Sequence, residues 1–100
     1  MEQETTQKED NSIFIGGKPF MNYVTAVVVQ FNIKKMTEVH IKSRGKFISK
    51  AVDVAEVARR KFLETEDVSV KNVKIGSEEF ENKEGKEVNV STLEITLVRG

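Results

Sequence analysis

Apolar residues recur along the first two thirds of the chain at spacings typical of a strand, a helix, a second strand and a second helix. Residues 13–15, followed by Gly16 and Gly17, predict a short buried strand that ends in a tight turn. Pro19 predicts that a helix begins at or beside it, because proline lacks the N–H that a first helical turn leaves unpaired. The apolar stripe of this helix, which continues to residue 32, is Phe20, Val24, Val27, Val28 and Phe31.

The second strand and helix follow in residues 38–63. Val39 and Ile41 alternate with polar residues, which is typical of a strand with one wet face. The sequence RGK at 44–46 then predicts a turn. From residue 47 onwards, apolar residues recur at steps of three and four and predict a second amphipathic helix. Its stripe is Ile48, Ala51, Val52, Ala55, Ala58 and Phe62.

The last third of the chain predicts two longer strands joined by a hairpin tip at residues 78–87, which contain Gly85. In each strand the parity of the apolar positions changes by one after the second valine, which predicts either a β-bulge or a switch of the buried face. The apolar positions are Val68, Val70, Val73 and Ile75, then Val88, Val90, Leu93, Ile95 and Leu97. We expect both strands to extend beyond the body. The order β-α-β-α-β-β predicts an α/β fold (α+β sandwich) with two helices on a mixed four-stranded sheet.

The composition is that of a single globular domain. The chain has 100 residues, of which 38% are apolar and 32% charged, and a chain of this length builds one core. Residues 1–11 are polar and acidic and lack apolar periodicity, which predicts a disordered tail before a domain at residues 12–100. The chain has neither the start of a secretory signal nor a membrane-spanning run, which predicts a cytoplasmic protein. The absence of cysteine excludes disulfides and thiolate metal sites.

The charged residues are unevenly distributed although the net charge is +0. Residues 34–62 contain nine Lys or Arg against three acidic residues, whereas residues 63–100 contain five against nine. A basic block of this kind is typical of a surface that binds polyanions, and a solvated helix and strand surface can have the same composition.

Three stretches of the sequence, IFIGGKPFMNYV, VHIKSRGKFISKAVD and VSTLEITLVRG, resemble the Alba family of small nucleic-acid-binding proteins. The resemblance covers about residues 12–100 and implies a compact domain similar to the C-terminal domain of a bacterial translation initiation factor. It further implies a homodimer that binds DNA and RNA, forms higher assemblies on nucleic acid, organises archaeal chromatin and has no catalytic activity. We therefore expect a cytoplasmic, chromosome-associated protein that needs no cofactor or metal.

The resemblance also implies which residues form the site. Lys18 belongs to the loop before the first helix, and Arg44 and Lys46 belong to the turn before the second; in the family fold these loops share one face and contact the nucleic-acid backbone. Asn22 and Tyr23, together with Arg44, are implied contacts with RNA. Lys50 is a further candidate for nucleic-acid binding. Phe62 is implied to lie at contacts between dimers. Arg59 is a second candidate for the oligomer interface, and nucleic-acid binding is also open for it.

Several of these residues also have a simpler structural explanation. Tyr23 and Phe62 suit the core, and Asn22 suits the end of a helix. Lys50 is equally well explained as ordinary surface charge, and Arg59 as a cation that stabilises a helix C-terminus. For each residue the sequence leaves both interpretations open.

Two departures from the family pattern bear on function. Gly17 stands where many relatives have the first of two lysines, and the hairpin tip has five Glu against Lys83 and Lys86. An acidic tip predicts weak non-specific DNA binding, which gives selective contacts a larger share of the total affinity.

Two other classes of function compete with nucleic-acid binding. The alternative is a protein-interaction scaffold of RNA–protein complexes, since the acidic segments of a neutral chain can dock basic partners. An enzyme is disfavoured, because the glutamates of the hairpin have no histidine or phosphate-binding loop beside them and His40 stands alone in the sequence.

Overall fold

In a computed structural model that describes residues 11–100, four strands and two helices follow one another in the predicted order. The strands are β1 (Ser12–Phe14), β2 (Glu38–Arg44), β3 (Val68–Glu81) and β4 (Glu87–Arg99); the helices are α1 (Phe20–Asn32) and α2 (Ile48–Val57). The predicted tail at residues 1–11 lies outside the described residues except for Asn11, whose carbonyl accepts a hydrogen bond from the His40 N–H at 2.8 Å. None of the helices within residues 11–100 is long and apolar enough to cross a membrane.

The strands form the predicted mixed sheet, in the order β1-β2-β4-β3. β1 runs parallel to β2, and β4 runs antiparallel to both β2 and β3. Because β1 and β2 are parallel, their C-terminal ends lie at the same edge of the sheet. Each of these two strands leads into a helix, so the loops that precede α1 and α2 are neighbours.

The core lies between the two helices and one face of the sheet. Fully buried side chains from α1 and α2 pack against inward-facing residues of β2 and β4. They include Val24, Val27, Phe31, Val54, Val39, Ile41 and Leu97. Burial of such aliphatic and aromatic side chains is the main contribution to the stability of a domain of this size.

The C-terminal end of α2 departs from the predicted apolar stripe. After Val57 the helix widens into a π-helical turn, Ala58–Phe62, which accommodates one more residue than an α-helical turn. Leu63 is 0% exposed and takes the core position that regular spacing would give to Phe62, which is 49% exposed. The prediction that Phe62 belongs to the helix stripe was therefore wrong.

Two further residues differ from the predicted burial pattern. Val54 lies inward with Ala51 and Ala55, whereas Val52 is exposed. The buried stripe of α2 is therefore centred on Ala51, Val54 and Ala55 and leaves Val52 outside it. In β1, Ile13 is buried but Phe14 is 69% exposed, since successive side chains of a strand point to opposite faces and the helices cover only one of them.

The two changes of parity have different causes. In β3 the register against β4 shifts between Val70 and Asn72, so a bulge returns Val73 to the same face as Val70. In β4 the pairing continues without a shift, and Val90 lies on the opposite face from Leu93. Both alternatives that the sequence left open are thus realised, one in each strand.

β3 and β4 continue as a two-stranded arm beyond the C-terminal end of β2. Arg44 is the last residue of β2 and pairs with Thr92, so among the described residues 77–81 and 87–91 pair only with each other. Gly85, at φ 82°, forms part of the hairpin turn. We call residues 77–91 the acidic arm, because five glutamates lie within it.

Candidate nucleic-acid interface

The C-terminal edge of β1 and β2 gathers the cations that the sequence singled out. Lys18 lies in the loop between β1 and α1, Arg44 and Lys46 lie at the end of β2 and in the turn after it, and Lys50 lies in the first turn of α2. We call these four residues and their loops the basic edge. Among the described residues, neither helix has an acidic residue in its first turn or a side-chain cap. The partial positive charge of both helix N-termini therefore adds to that of the side chains.

Two N–H groups and two carbonyls of residues 16–18 are hydrogen-bonded to side chains of the two helices. The Tyr23 hydroxyl accepts hydrogen bonds from the N–H groups of Gly16 and Lys18, each at 3.0 Å. The Lys50 ammonium donates to the carbonyl oxygens of the same two residues, each at 2.7 Å. Lys50 Nζ also lies 5.0 Å from the centroid of the Tyr23 ring. We call residues 16–18 the Lys18 loop.

The side chain of Lys18 is exposed and makes no ion pair within residues 11–100. Its ammonium is a full positive charge beside the N-terminus of α1, where helical N–H groups have no intrahelical partner. Helix N-termini with an adjacent cation are suited to binding phosphate.

The turn after β2 carries the next two cations. Gly45 has φ 59°, a left-handed conformation that a residue with a Cβ adopts at a cost, and it opens the 3₁₀ turn Gly45–Phe47. Lys46 is exposed and its ammonium lies 5.5 Å from the Phe47 ring centroid. Arg44 is exposed as well, but its guanidinium forms an ion pair with Glu78 of the acidic arm at 2.8 Å. The guanidinium of Arg44, which is predicted to bind phosphate, is therefore paired with the carboxylate of Glu78.

Asn22 lies exposed in the first turn of α1, and its N–H donates to the Pro19 carbonyl at 3.0 Å. A groove of about 650 Å³ passes from Lys18 beside Asn22 and Thr25 towards Lys34. Asn22 is thus on the same surface as Lys18. Tyr23 is 8% exposed, and its ring belongs to the core cluster.

Arg59 and Phe62 lie at the C-terminal end of α2, away from the basic edge. Arg59 pairs with Glu56 through Nε and a terminal nitrogen, at 2.9 and 3.2 Å, and Arg60 Nε contacts the same carboxylate at 2.6 Å. The hydrogen bond from Arg60, with further contributions from Arg59, lowers the pKa of the Glu56 carboxyl against the opposing effect of burial. The two predicted interface residues are therefore separate from the predicted binding residues.

The sequence did not reveal the Arg44–Glu78 pair, because the two residues are 34 positions apart and pair only through the sheet register. It also did not reveal the surroundings of His40, which lies on the helix-free face of the sheet. The His40 ring contacts Glu38 and Glu94, each at 3.0 Å, and Thr96 at 3.1 Å. For the Arg44–Glu78 pair, the signal in the sequence was an acidic hairpin that follows a basic turn in the predicted sheet.

Comparisons with known proteins agree on one family. A family model described as Alba matches residues 11–77. The chain is 52% identical over 90 residues to DNA/RNA-binding protein Alba 1 of Archaeoglobus fulgidus, covering 90% of this chain and 97% of the relative. It is 52% identical over 91 residues to DNA/RNA-binding protein Alba of Methanocella arvoryzae, covering 91% and 92%. Its fold is similar to that of Alba from Thermoplasma volcanium, with a TM-score of 0.81 and 49% identity over 89% of this chain and 100% of that chain.

Proposed function

Because this chain belongs to the Alba family, we propose that it binds double-stranded DNA and RNA through the basic edge. The observation that carries the proposal is the meeting of the Lys18 loop and the Arg44–Lys46 turn at one edge of the sheet, beside two helix N-termini without acidic residues. The proposed setting is cytoplasmic and chromosome-associated. The proposal assigns the chain no reaction of its own.

Lys18, Arg44 and Lys46 are the proposed phosphate contacts. Their ammonium and guanidinium groups are exposed, and the partial positive charge at the N-terminal ends of α1 and α2 adds to theirs. Asn22 is proposed to contact the same strand from the first turn of α1. Phosphate contacts fix position and orientation without reading sequence, so the same edge suits DNA and RNA.

A homodimer is part of the proposal and is supported by an exposed apolar row on β3. Val70, Val73 and Ile75 are 38%, 55% and 78% exposed, yet they lie on the face of the sheet that the helices cover elsewhere. Apolar rows of this kind mark interaction surfaces, and a second copy of the chain would bury them. Higher assembly through Phe62 and Arg59 is proposed to follow on nucleic acid.

The test is a salt titration of duplex DNA and RNA binding by the variant with Lys18, Arg44 and Lys46 all replaced by alanine. Each lost phosphate contact is expected to reduce the slope of log K against log salt by about 0.9, and affinity should fall similarly for different sequences. Lys71→Ala removes an exposed cation of β3 that lies beside Glu38, at the start of β2 and away from the basic edge, and serves as the control. Wild-type affinity and slope in the triple variant would refute the assignment of these residues.

The alternative function, a protein-interaction scaffold, is supported by the exposed acidic arm. A nuclease-free gel-shift titration separates the two functions. Complex formation at low salt supports direct binding, whereas its absence for both DNA and RNA supports the scaffold.

A further inference from the structure

We propose that Lys50 and Tyr23 are positioning residues, which hold the Lys18 loop in its binding conformation instead of contacting nucleic acid. The proposal deepens the proposed function and rests on it for its consequence in binding. Its structural part concerns the free protein alone. Both residues thereby differ in role from Lys18 and Lys46, whose side chains remain exposed.

The contacts of Lys50 leave its ammonium little capacity for phosphate. An ammonium has three N–H donors, and two of them are directed at the Gly16 and Lys18 carbonyls at 2.7 Å. The same nitrogen lies 5.0 Å from the Tyr23 ring centroid and 5.8 Å from the Phe47 ring centroid. Charge-assisted hydrogen bonds of this length are the stronger kind, and the aromatic rings favour the cation further.

Tyr23 connects the Lys18 loop to the core. Its ring is buried, and its hydroxyl accepts hydrogen bonds from the N–H groups of Gly16 and Lys18, each at 3.0 Å. Lys50 and Tyr23 together therefore satisfy two N–H groups and two carbonyls of a three-residue loop. Tyr23 belongs to α1 and Lys50 to α2, so the loop is attached to both helices.

The Lys18 loop needs such attachment because packing contributes little to its order. Two of its three residues are glycines, which have the largest backbone freedom in the unbound state. A Cβ placed on Gly17 meets no atom within 4 Å, so a side chain at this position would have nothing to pack against. A loop released from Tyr23 and Lys50 would have to be ordered when nucleic acid binds, and this ordering would reduce affinity.

The first measurement is backbone amide hydrogen exchange in the free protein. Lys50→Met removes the charge and the donors but keeps a side chain of similar length, and Tyr23→Phe removes only the hydroxyl. Both should accelerate exchange at Gly16 and Lys18 by about tenfold or more, the scale expected for lost charge-assisted or buried hydrogen bonds. Exchange at Ile41 in β2 reports global unfolding and should stay unchanged. Lys46→Met is the matched control, since Lys46 makes no hydrogen bond with the loop.

The second measurement is duplex DNA binding in a double-mutant cycle with Lys18→Ala. Lys50→Met should weaken binding about fivefold when Lys18 is present and less than about twofold when it is absent, because the function of Lys50 is to position Lys18. A direct phosphate contact predicts the opposite: the same loss in both backgrounds and a salt slope lower by about 0.9 in each.

Unchanged exchange at Gly16 and Lys18 in both variants would overturn the proposal whether or not the protein binds nucleic acid. Equal losses in both backgrounds of the cycle would overturn it as well. If the wild type binds neither DNA nor RNA while the variants release the loop, the proposed function fails and the positioning of the loop stands. If Lys50→Met also accelerates exchange at Ile41, the Tyr23→Phe result decides.

Discussion

Gly16 and Gly17 are neighbours in sequence but have different surroundings. A Cβ on Gly16 would lie 3.4 Å from the Tyr23 hydroxyl, whereas one on Gly17 would lie in open space. Gly17 does not have a positive φ, so its backbone conformation is compatible with other residues. Position 17, where the family resemblance implies a lysine, can therefore carry a side chain without strain.

We predict that Gly17→Lys strengthens duplex DNA binding. The new ammonium would lie beside Lys18 at the basic edge, and one additional phosphate contact should steepen the salt dependence by about 0.9. A fluorescence anisotropy titration at several salt concentrations measures both quantities. Gly17→Gln adds a long side chain without charge and is the control. Equal affinity and slope for the two variants would contradict a phosphate contact from this position.

The lowered pKa of Glu56 makes the stability of the fold depend on pH. Hydrogen bonds from Arg60 and Arg59 lower the pKa of the Glu56 carboxyl from the ordinary value of 4.5. A lowered pKa in the folded protein means that the ionised carboxylate stabilises the fold fully above pH 4.5, and that this contribution is lost as the pH falls through the folded-state pKa.

We therefore predict that Glu56→Gln lowers the unfolding midpoint in urea above this pH range and that its difference from wild type shrinks on acidification. Urea unfolding measured from neutral pH down to about pH 3 tests the prediction. Glu64→Gln is the control, because Glu64 forms no ion pair within residues 11–100. A difference between Glu56→Gln and wild type that grows towards low pH would contradict it.

Lys18, Arg44 and Lys46 lie in adjacent loops, as the family resemblance implied. Their contacts with nucleic acid stay a prediction, and the sequence did not predict their contacts with other side chains. The bonds of Lys50 to the carbonyls of the Lys18 loop depend on the exact distance between two helices, which the spacing of apolar residues does not determine.

The acidic arm is the element that most affects the basic edge. Its strands continue past the end of β2, and this extension brings Glu78 to Arg44. The pair is exposed, with side chains 59% and 52% accessible, so it contributes little to stability. In the proposed interface, the Glu78 carboxylate would compete with phosphate for the Arg44 guanidinium.

We predict that Glu78→Gln strengthens binding to random duplex DNA by up to about fivefold, the scale of an exposed ion pair. Glu79→Gln removes the same charge from the next residue, which lies on the other face of the arm, and is the control. A gel-shift titration at physiological salt compares the two variants. Equal strengthening by both would indicate general repulsion from the arm and no direct competition at Arg44.

Elements were predicted to within a few residues, and the exceptions have local causes. Both helices and all four strands occur where the apolar periodicity indicated. The π-helical turn was not predictable, because it depends on Leu63 packing more favourably in the core than Phe62 does, and a periodic pattern contains no measure of packing. The parity changes predicted an irregularity in each of the two long strands, but they did not indicate which strand would contain a β-bulge.

The two helices cover only part of one face of the sheet. The helices protect β2 and most of β4, but they leave the β3 edge with Val70, Val73 and Ile75 exposed. Edge strands with exposed apolar side chains tend to associate. The proposed dimer would bury this row.

We predict that the wild type is a dimer and that Ile75→Glu shifts it towards monomer. The charged side chain would have to be buried in the interface at a free-energy cost that exceeds the gain from association. Sedimentation equilibrium at tens of micromolar protein distinguishes the 11.3 kDa chain from twice that mass. Lys74→Glu places the same side chain on the opposite face of β3 and should remain dimeric. A wild-type mass of one chain would contradict the prediction.

The Lys18 loop is attached to two helices, whereas the acidic arm is exposed. We therefore expect the loop and the arm to change at different rates during evolution. A substitution of Tyr23 or Lys50 releases bonds that hold the Lys18 loop, and most replacements of the buried Tyr23 ring also disturb the core. Glu78, Glu79 and Glu81 are exposed, and lineages can exchange them for neutral or basic residues while the fold persists. Selection on the affinity of the proposed interface would then act first on the arm, and divergence among relatives should concentrate there.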